Sequence, residues 1–581
     1  MRPLFWLWMS LVALSESTSI SADHSYWYDW GVYGAYPQRT YESFGAASPW
    51  TNILKYDSRC DDGHVFIGPR GLSVPTPGPI ILDKKGDLVW METKWGQAMD
   101  LKVQSYQGND YITFWTGTDN GTFGEGHYLM VKHLRNGFNI ANRRLIIEQL
   151  DSSYEIFKIV KPADNLTGDL HEFRITDTGT ALMTIYERRA ADLTVYGIPQ
   201  GWIYDSLFQE IDLATGDLLF QWRASDHYAI NESRAPIRSF GREPTNGFDF
   251  FHINSIDKDN AGNYLISSRY MCALTYINQK GEIIWQLGGD KNNFTDLSGG
   301  AATNFTWQHH ASWYENNSLT IFDNGAYDKL HTAEYSRGLL VGLDYANMTA
   351  TLVKDYVAPQ HLLVPSQGSM QMLQDTGNVL VGWGHTPAYT EFSADGEVLC
   401  DVHIGAVSIS FLGWCKNYRT FKSQWTGRPK TVPSVAMRPK EGILYVSWNG
   451  ATDVEHWVLQ SGAGQDDEAF VDIIAVTKES FETEILVPDE VQEYLRVAAV
   501  DQSGNVLAYS KPVSKRVETK TPPMTAPSQG SRISIFQLLV TTCALVFVII
   551  LFLFFRSAIL RGFNRVVRRA VPYKYQELPT S

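Results

Sequence analysis

The feature that most limits what this chain can fold into is a short β-type run, opened by Gly or a polar turn, that recurs six times. The copies are GHVFIG from Gly63, GNDYITF from Gly108, GTALMTI from Gly179, GNYLISSR from Gly262, NSLTIFDNG from Asn317 and GNVLVGWG from Gly377. Several are followed by a second run in which a turn pair leads into apolar residues: GDLVW from Gly86, GDLLF from Gly216, GEIIW from Gly281 and GEVLC from Gly396. The two runs read as the inner and outer strands of one repeated unit, about 45 to 80 residues long and without strong helical period. Such a unit cannot bury its apolar face alone, and radial repetition leaves few sheet edges exposed. Residues 23–428 are therefore predicted to form a six-bladed β-propeller, and the chain is placed in the all-β class. Aromatic residues at 13% and 46 Gly agree with that class.

Past Thr431 the texture changes. ILYVSWNG, which holds Trp448, and YLRVAAVDQSG from Tyr494 alternate apolar and polar residues. The spacing of that Trp and Tyr resembles a fibronectin type III domain, which implies a β-sandwich over residues 431–515. Residues 516–532, rich in Pro, Ser and Thr, read as an exposed stalk.

Both ends of the chain address a membrane. Arg2 precedes an apolar stretch from Leu4 to Leu14 and then small polar residues, so residues 1–22 read as a secretory signal peptide. Residues 533–555 carry no charge and are long enough for a transmembrane helix. In residues 556–581, Arg556, Arg561, Arg565, Arg568, Arg569 and Lys574 face Glu577 alone, so the positive-inside rule places this tail in the cytosol. The expectation is a single-pass type I protein whose large domain is lumenal or extracellular, with the lipid bilayer as a partner. Seven Asn-x-Ser/Thr acceptors, at Asn120, Asn165, Asn231, Asn293, Asn304, Asn316 and Asn347, all lie on the large-domain side. In an oxidising compartment disulfides are available, and Cys400 with Cys415 is the expected pair. No Cys or His spacing suggests a metal site, and no cofactor is expected. A formal charge of -14 argues against nucleic-acid binding.

Aligning the repeats on their opening residues exposes a second regularity. Eight to ten residues upstream lie His171, His252 and the His309–His310 pair, with Ser369 at the last repeat. Downstream lie Tyr186, Arg269, Asn324 and His385. Equivalent positions on successive blades converge on one axis. Neutral imidazole is nucleophilic near pH 7, and Arg and Asn stabilise charge on a transferring sulfuryl or phosphoryl group. Adjacent residues on a strand face opposite ways, so one of His309 and His310 can point into the channel.

The blocks FFHINSIDKDNAGNYLISSR (Phe250 to Arg269), WQHHASW (Trp307 to Trp313), FDNG (Phe322 to Gly325), YSR (Tyr335 to Arg337) and VLVGWGH (Val379 to His385) resemble the arylsulfotransferase family. The resemblance implies a propeller in which a histidine takes a sulfuryl group from an aryl sulfate and passes it to a phenol. It implies His252 and His309 as substrate-binding histidines, with Asn324 and Arg337 as flanking anion-binding positions; Arg269, from the repeat alignment, is a further substrate-binding candidate. His385, late in the propeller, is the candidate nucleophile. The alternative is a catalytically inactive propeller that binds a ligand or a protein partner.

Overall fold

The computed structural model describes residues 20–132, 154–315, 317–465, 470–521 and 523–524. The expected membrane helix, basic tail and Asn316, with most of the signal peptide and half of the stalk, lie outside the described residues. Among the described residues no helix is long and apolar enough to cross a membrane. One α-helix, Ile20–Asp29, begins inside the expected signal segment. The described chain is otherwise nearly all β.

Six sheets of four or five strands follow one another along the chain. Sheet 1 comprises Met99–Tyr106, Asn109–Asp119, Gly124–Lys132 and Ile156–Val160. Sheet 2 comprises Phe173–Ile175, Thr180–Leu193, Ile198–Asp212 and Leu218–Arg223, with Phe248–Asp249 added in parallel. Sheet 3 comprises Ile253–Lys258, Tyr264–Ser268, Ala273–Ile277 and Ile283–Gly288. Sheet 4 comprises His309–Tyr314, Ser318–Asp323, Arg337–Asp344 and Thr349–Tyr356, with Thr295–Asp296 at its edge. Sheet 5 comprises Ser369–Met372, Val379–Gly382, Ala388–Phe392 and Val398–His403, with Asn52–Lys55 on the last strand. Sheet 6 comprises Phe421–Ser423, His64–Ile67, Ile80–Leu82 and Leu88–Met91. Segments from the two ends of this region thus pair three times, counting the short ribbon of Pro69–Arg70 with Lys416–Asn417, which ties its beginning to its end.

Each recurring run supplies the second strand of one sheet, not the first. In sheets 1 to 5 the first strand is the segment just upstream, and in sheets 2 to 4 it begins at or just after a histidine. The second strands read as continuous apolar runs because both faces are covered: Tyr264–Ser268 and Val379–Gly382 are buried at every position. Between sheets 3 and 4, Leu265, Leu274, Leu319, Ile321, Leu339 and Val341 form one such interface. First strands lie beside those of neighbouring sheets, and the sixth lies against the first.

Residues 434–514 form two further sheets. One holds Ser434–Arg438, Ile443–Ser447 and Glu482–Leu486; the other holds His456–Gly462, Val471–Thr477, Tyr494–Val500, Val506–Tyr509 and Val513–Ser514. Leu444, Val446, Trp457, Leu459, Leu495 and Val497 fill the space between them. This unit is fastened to sheet 6. Met91 N–H donates to Asn449 Oδ1 and Asn449 Nδ2 returns to Met91 O, at 3.1 and 2.9 Å. Nearby, Phe481 packs against Tyr41 and Phe44 with centroids 4.8 and 5.0 Å apart.

The expected Cys400–Cys415 disulfide is not formed. Cys400 bonds Cys60, with Cα atoms 6.2 Å apart, and Cys415 is a buried free thiol. The reason is the pairing of Asn52–Lys55 with Val398–His403, which places Lys55 opposite Asp401 and brings the following loop over Cys400. Cys415 instead packs among Tyr36, Ile404 and Tyr389. The six glycosylation acceptors that are described, Asn120, Asn165, Asn231, Asn293, Asn304 and Asn347, are all exposed.

Candidate functional site

The first strands of sheets 2, 3 and 4 each begin at or just after a histidine, and the three rings meet. His171 and His252 lie 4.8 Å apart by centroid, and His252 and His309 lie 6.4 Å apart. Each Nδ1 is anchored by a neighbour: His171 to Asp169 Oδ2 at 2.7 Å, His252 to Asp249 Oδ2 at 2.5 Å, and His309 to Asn324 Oδ1 at 2.7 Å. An anchored Nδ1–H leaves the Nε2 lone pair as the reactive position. Nε2 of His171 and of His252 makes no hydrogen bond among the described residues, while His309 Nε2 accepts the Gln367 N–H at 3.2 Å. His252 and Gln367 both hold left-handed backbone, with φ of 57° and 67°. Such strain costs about 1 kcal/mol or more per residue and gathers at functional sites.

Arg269 is the charge at the centre. It follows the second strand of sheet 3, and its backbone N–H donates to His252 O at 3.0 Å. The side chain is 7% exposed, its Nη2 donates to Pro365 O at 2.5 Å, and its Nε has no hydrogen-bond partner. No carboxylate pairs with it among the described residues. Tyr270 and Tyr327 lie 5.5 and 5.0 Å from its guanidinium carbon, and Trp307 stacks on Tyr327. A buried arginine with a free N–H and an aromatic wall is suited to an anionic aromatic ligand.

Asn324 does more than touch His309. Its Nδ2 donates to Val364 O and Gln367 O, both at 3.0 Å, so it fixes the loop above the rings. That loop approaches Gly384 so closely that a β-carbon there would stand 2.4 Å from Gly368 N. Arg337 is directed elsewhere. It pairs with Asp323 at 3.2 Å and approaches Asp355 at 3.8 Å, so both of its nearest partners are carboxylates. His385 stands to the side, partly exposed, with its N–H on Ser366 O, and makes no ring contact with the three histidines. His310 faces the other way from His309: its Nδ1 accepts the Met370 N–H at 3.3 Å.

Burial sets the protonation states. The pKa values of His252 and His309 are pushed well below the ordinary imidazole value, first by desolvation and then by neighbouring His and Arg charges. His385 falls to about 4 through burial and the charges of Lys416, Arg70 and Arg269. Asp249 rises to about 8 because burial outweighs the attraction of His171 and Arg269. Burial therefore disfavours the doubly protonated imidazolium form of His252 and His309 at neutral pH.

Next to the histidines lies a buried ionic layer: Arg419 reaches the carbonyl of Asn254, two residues after His252. Arg419 donates to Asp100, Glu172 and Asn254 O at 2.6, 3.0 and 2.7 Å, and Lys102 pairs with the same two carboxylates. Beyond it lies a cavity of about 1170 Å³ lined by Lys102, Gln104, Arg174, His310 and Trp313 among others. Its basic residues already have acidic partners: Arg174 pairs with Asp257, and Lys258 pairs with Glu210. On the histidine side, Arg269 pairs with no carboxylate among the described residues.

Residues 102–405, just over half of the chain, match the arylsulfotransferase (ASST) family. The chain belongs to that family. All three anchored histidines, Arg269, Asn324, Arg337 and His385 fall inside the arylsulfotransferase match, while Arg70 and Arg419 fall outside it. No curated protein matches the chain. Solved structures similar to it include a protein of unknown function from Bacteroides caccae (13% identity, 63% of this chain and 100% of that one, TM-score 0.36). A protein from Lactobacillus plantarum is similar at 9% identity, over 79% of this chain and 97% of that one, with TM-score 0.32. Virginiamycin B lyase from Staphylococcus aureus is similar at 8% identity, over 62% and 90%, with TM-score 0.30.

Sequence reasoning missed Asp169, Asp249 and Gln367. The first two sit two and three residues before their histidines, and an acidic residue at that spacing was the available signal. Gln367 has none, because its role comes from its backbone.

Proposed function

We propose that this protein transfers a sulfuryl group from an aryl sulfate to a phenolic acceptor through the paired histidines His252 and His309, inside a six-bladed propeller formed by the six sheets. The observation that carries the reading is Arg269: a buried arginine without a carboxylate partner among the described residues, set beside imidazoles held neutral and oriented. Nε2 of one histidine attacks the sulfur, an N–S bond forms, and the S–O bond to the aryl group breaks with its electron pair leaving on the phenolate. The acceptor oxygen then attacks the sulfur and the N–S bond returns its pair to the ring. The phenolate leaves in the first step; in the second, His171, with a free Nε2 and Asp169 behind it, is placed to take the acceptor's proton and pass it to solvent. Arg269, with its free Nε–H, neutralises charge on the sulfuryl oxygens.

His385 remains a candidate by position along the chain, but neither a carboxylate nor an amide orients its ring. The test is to supply 4-nitrophenyl sulfate without acceptor and map the adduct by peptide mass spectrometry. Sulfo-histidine at His252 or His309, abolished by the matching Ala substitution, is the expected result. An adduct at His385, or turnover with no adduct, would refute the pathway; binding without turnover would favour a ligand-binding protein.

For the surroundings, the reading is a membrane-anchored type I glycoprotein of the secretory pathway with a fibronectin type III-like domain over 431–515. The exposed acceptor asparagines, the Cys60–Cys400 disulfide and the uncharged stretch 533–555 support it. Glycosidase sensitivity of the protein from a secretory host tests it: no loss of apparent mass would overturn the orientation.

A further inference from the structure

Beside the histidine pair the fold builds a second cationic seat that the transfer step does not use. Pro69–Arg70 pairs antiparallel with Lys416–Asn417, with Lys416 directly opposite Arg70. Directly opposed residues project from the same face of an antiparallel pair, so the two cations stand side by side. Arg70 is 4% exposed, and its Nε has no hydrogen-bond partner. Its ion-pair neighbour is Asp119, at 3.6 Å, and the other oxygen of Asp119 is taken by the Gly121 N–H. Lys416 makes no ion pair among the described residues. Two positive charges therefore share one distant carboxylate in a largely desolvated place. That arrangement is costly unless an anion completes it. Burial and the charge of Arg70 lower Lys416 to about 8, which an incoming anion would reverse.

The seat is joined to the transfer site through one residue. Gln367 Oε1 accepts from Arg70 Nη1 at 3.4 Å, its N–H donates to His309 Nε2 at 3.2 Å, and its carbonyl accepts from Asn324. His385 borders the same ribbon: Asn417 N–H donates to Gly384 O at 3.2 Å, and a β-carbon on Gly413 would stand 3.5 Å from His385 Nε2. His385 thus belongs with Arg70 and Lys416 as much as with Arg269.

We propose that Arg70 and Lys416 hold a second anionic substituent, a carboxylate or a second sulfate, on the same aromatic molecule whose sulfate ester lies at His252 and His309. The preferred substrate is then a dianionic aryl sulfate. This deepens the transferase reading and rests on it.

The experiment is titration calorimetry of the whole protein with 4-nitrophenyl sulfate, 4-carboxyphenyl sulfate and benzene-1,4-diyl disulfate, followed by turnover of each. The wild type should bind at least one of the dianions about tenfold or more tighter than the monoanion, as a charge-assisted contact requires. Lys416→Gln should erase that preference while leaving 4-nitrophenyl sulfate within about twofold. Arg70→Gln should erase it too, but because Arg70 also donates to Gln367 beside His309, Lys416→Gln is the deciding variant. Equal binding of all three by the wild type, or a preference that survives Lys416→Gln, overturns the seat. The two readings fail separately: a protein that prefers a dianion in a Lys416-dependent way yet never turns it over keeps the seat and loses the transfer chemistry.

Discussion

Arg269 and Arg419 are both buried beside the axis, and replacing each by Gln should have opposite signatures. Arg419 sits between Asp100 and Glu172 at 2.6 and 3.0 Å and is fully buried. Arg419→Gln leaves those carboxylates with Lys102 alone, and breaking a buried ion pair from one side costs about 3–5 kcal/mol. Arg269→Gln removes one hydrogen bond to Pro365 O and ring contacts with Tyr270 and Tyr327, together about 1–3 kcal/mol. It also removes a buried charge without an acidic partner, which offsets several kcal/mol of desolvation. The net change in stability should lie within about 1–2 kcal/mol of zero, in either direction. Turnover should fall by about 10² to 10³, the loss expected when a preorganised oxyanion partner is removed. Urea denaturation of both variants, with 4-nitrophenyl sulfate turnover measured beside it, separates the two roles. If Arg269→Gln loses as much stability as Arg419→Gln, Arg269 is a structural cation, and the argument from its unpaired state fails.

Non-reducing peptide mapping should recover Cys60 linked to Cys400 and Cys415 as a free thiol. Cys60→Ser should cost up to about 5–6 kcal/mol because the bond spans a sequence separation of 340, whereas Cys415→Ser should leave the linkage intact. Stability should fall as pH drops from about 6.5 towards 4, followed by thermal melting. His64 and His385 protonate only near 4 in the folded protein, so the unfolded chain binds more protons across that window. Removing residues after 428 should lower the melting temperature of the remaining six sheets, since it strips Asn449 from Met91 and Phe481 from Tyr41. An unchanged melting temperature would mean the contact is incidental.

What could be read from the sequence followed from periodicity. A buried second strand must be apolar on both faces and must end in a turn, so GNYLISSR and GNVLVGWG announce themselves. First strands do not. Ile253–Lys258 carries Asn254, Ser255 and Asp257 inward, where they bond other strands, and a polar run of that kind looks like a loop until the sheet is seen. The error of taking the Gly-led run as innermost has this cause, since the apolar signal belongs to the layer behind the one that faces the axis.

The site divides along the same line. His252, His309, Asn324 and Arg269 were visible because each repeats at one offset from a strand. The groups that give them their chemistry were not. Asp249 matters through a 2.5 Å contact within a strained turn, and Gln367 through a backbone N–H at φ 67°. Arg70 reaches His309 by way of Gln367, across almost 300 residues of sequence. No periodic signal carries such a contact, because sheet 6 and the ribbon of Pro69–Arg70 with Lys416–Asn417 are each assembled from both ends of the repeat region. Those pairings bring Arg70 and Lys416 together, one from each end, and Gln367 joins Arg70 to His309, so a chain in which they failed to form would keep the three imidazoles of sheets 2 to 4 and lose that neighbouring pair of charges.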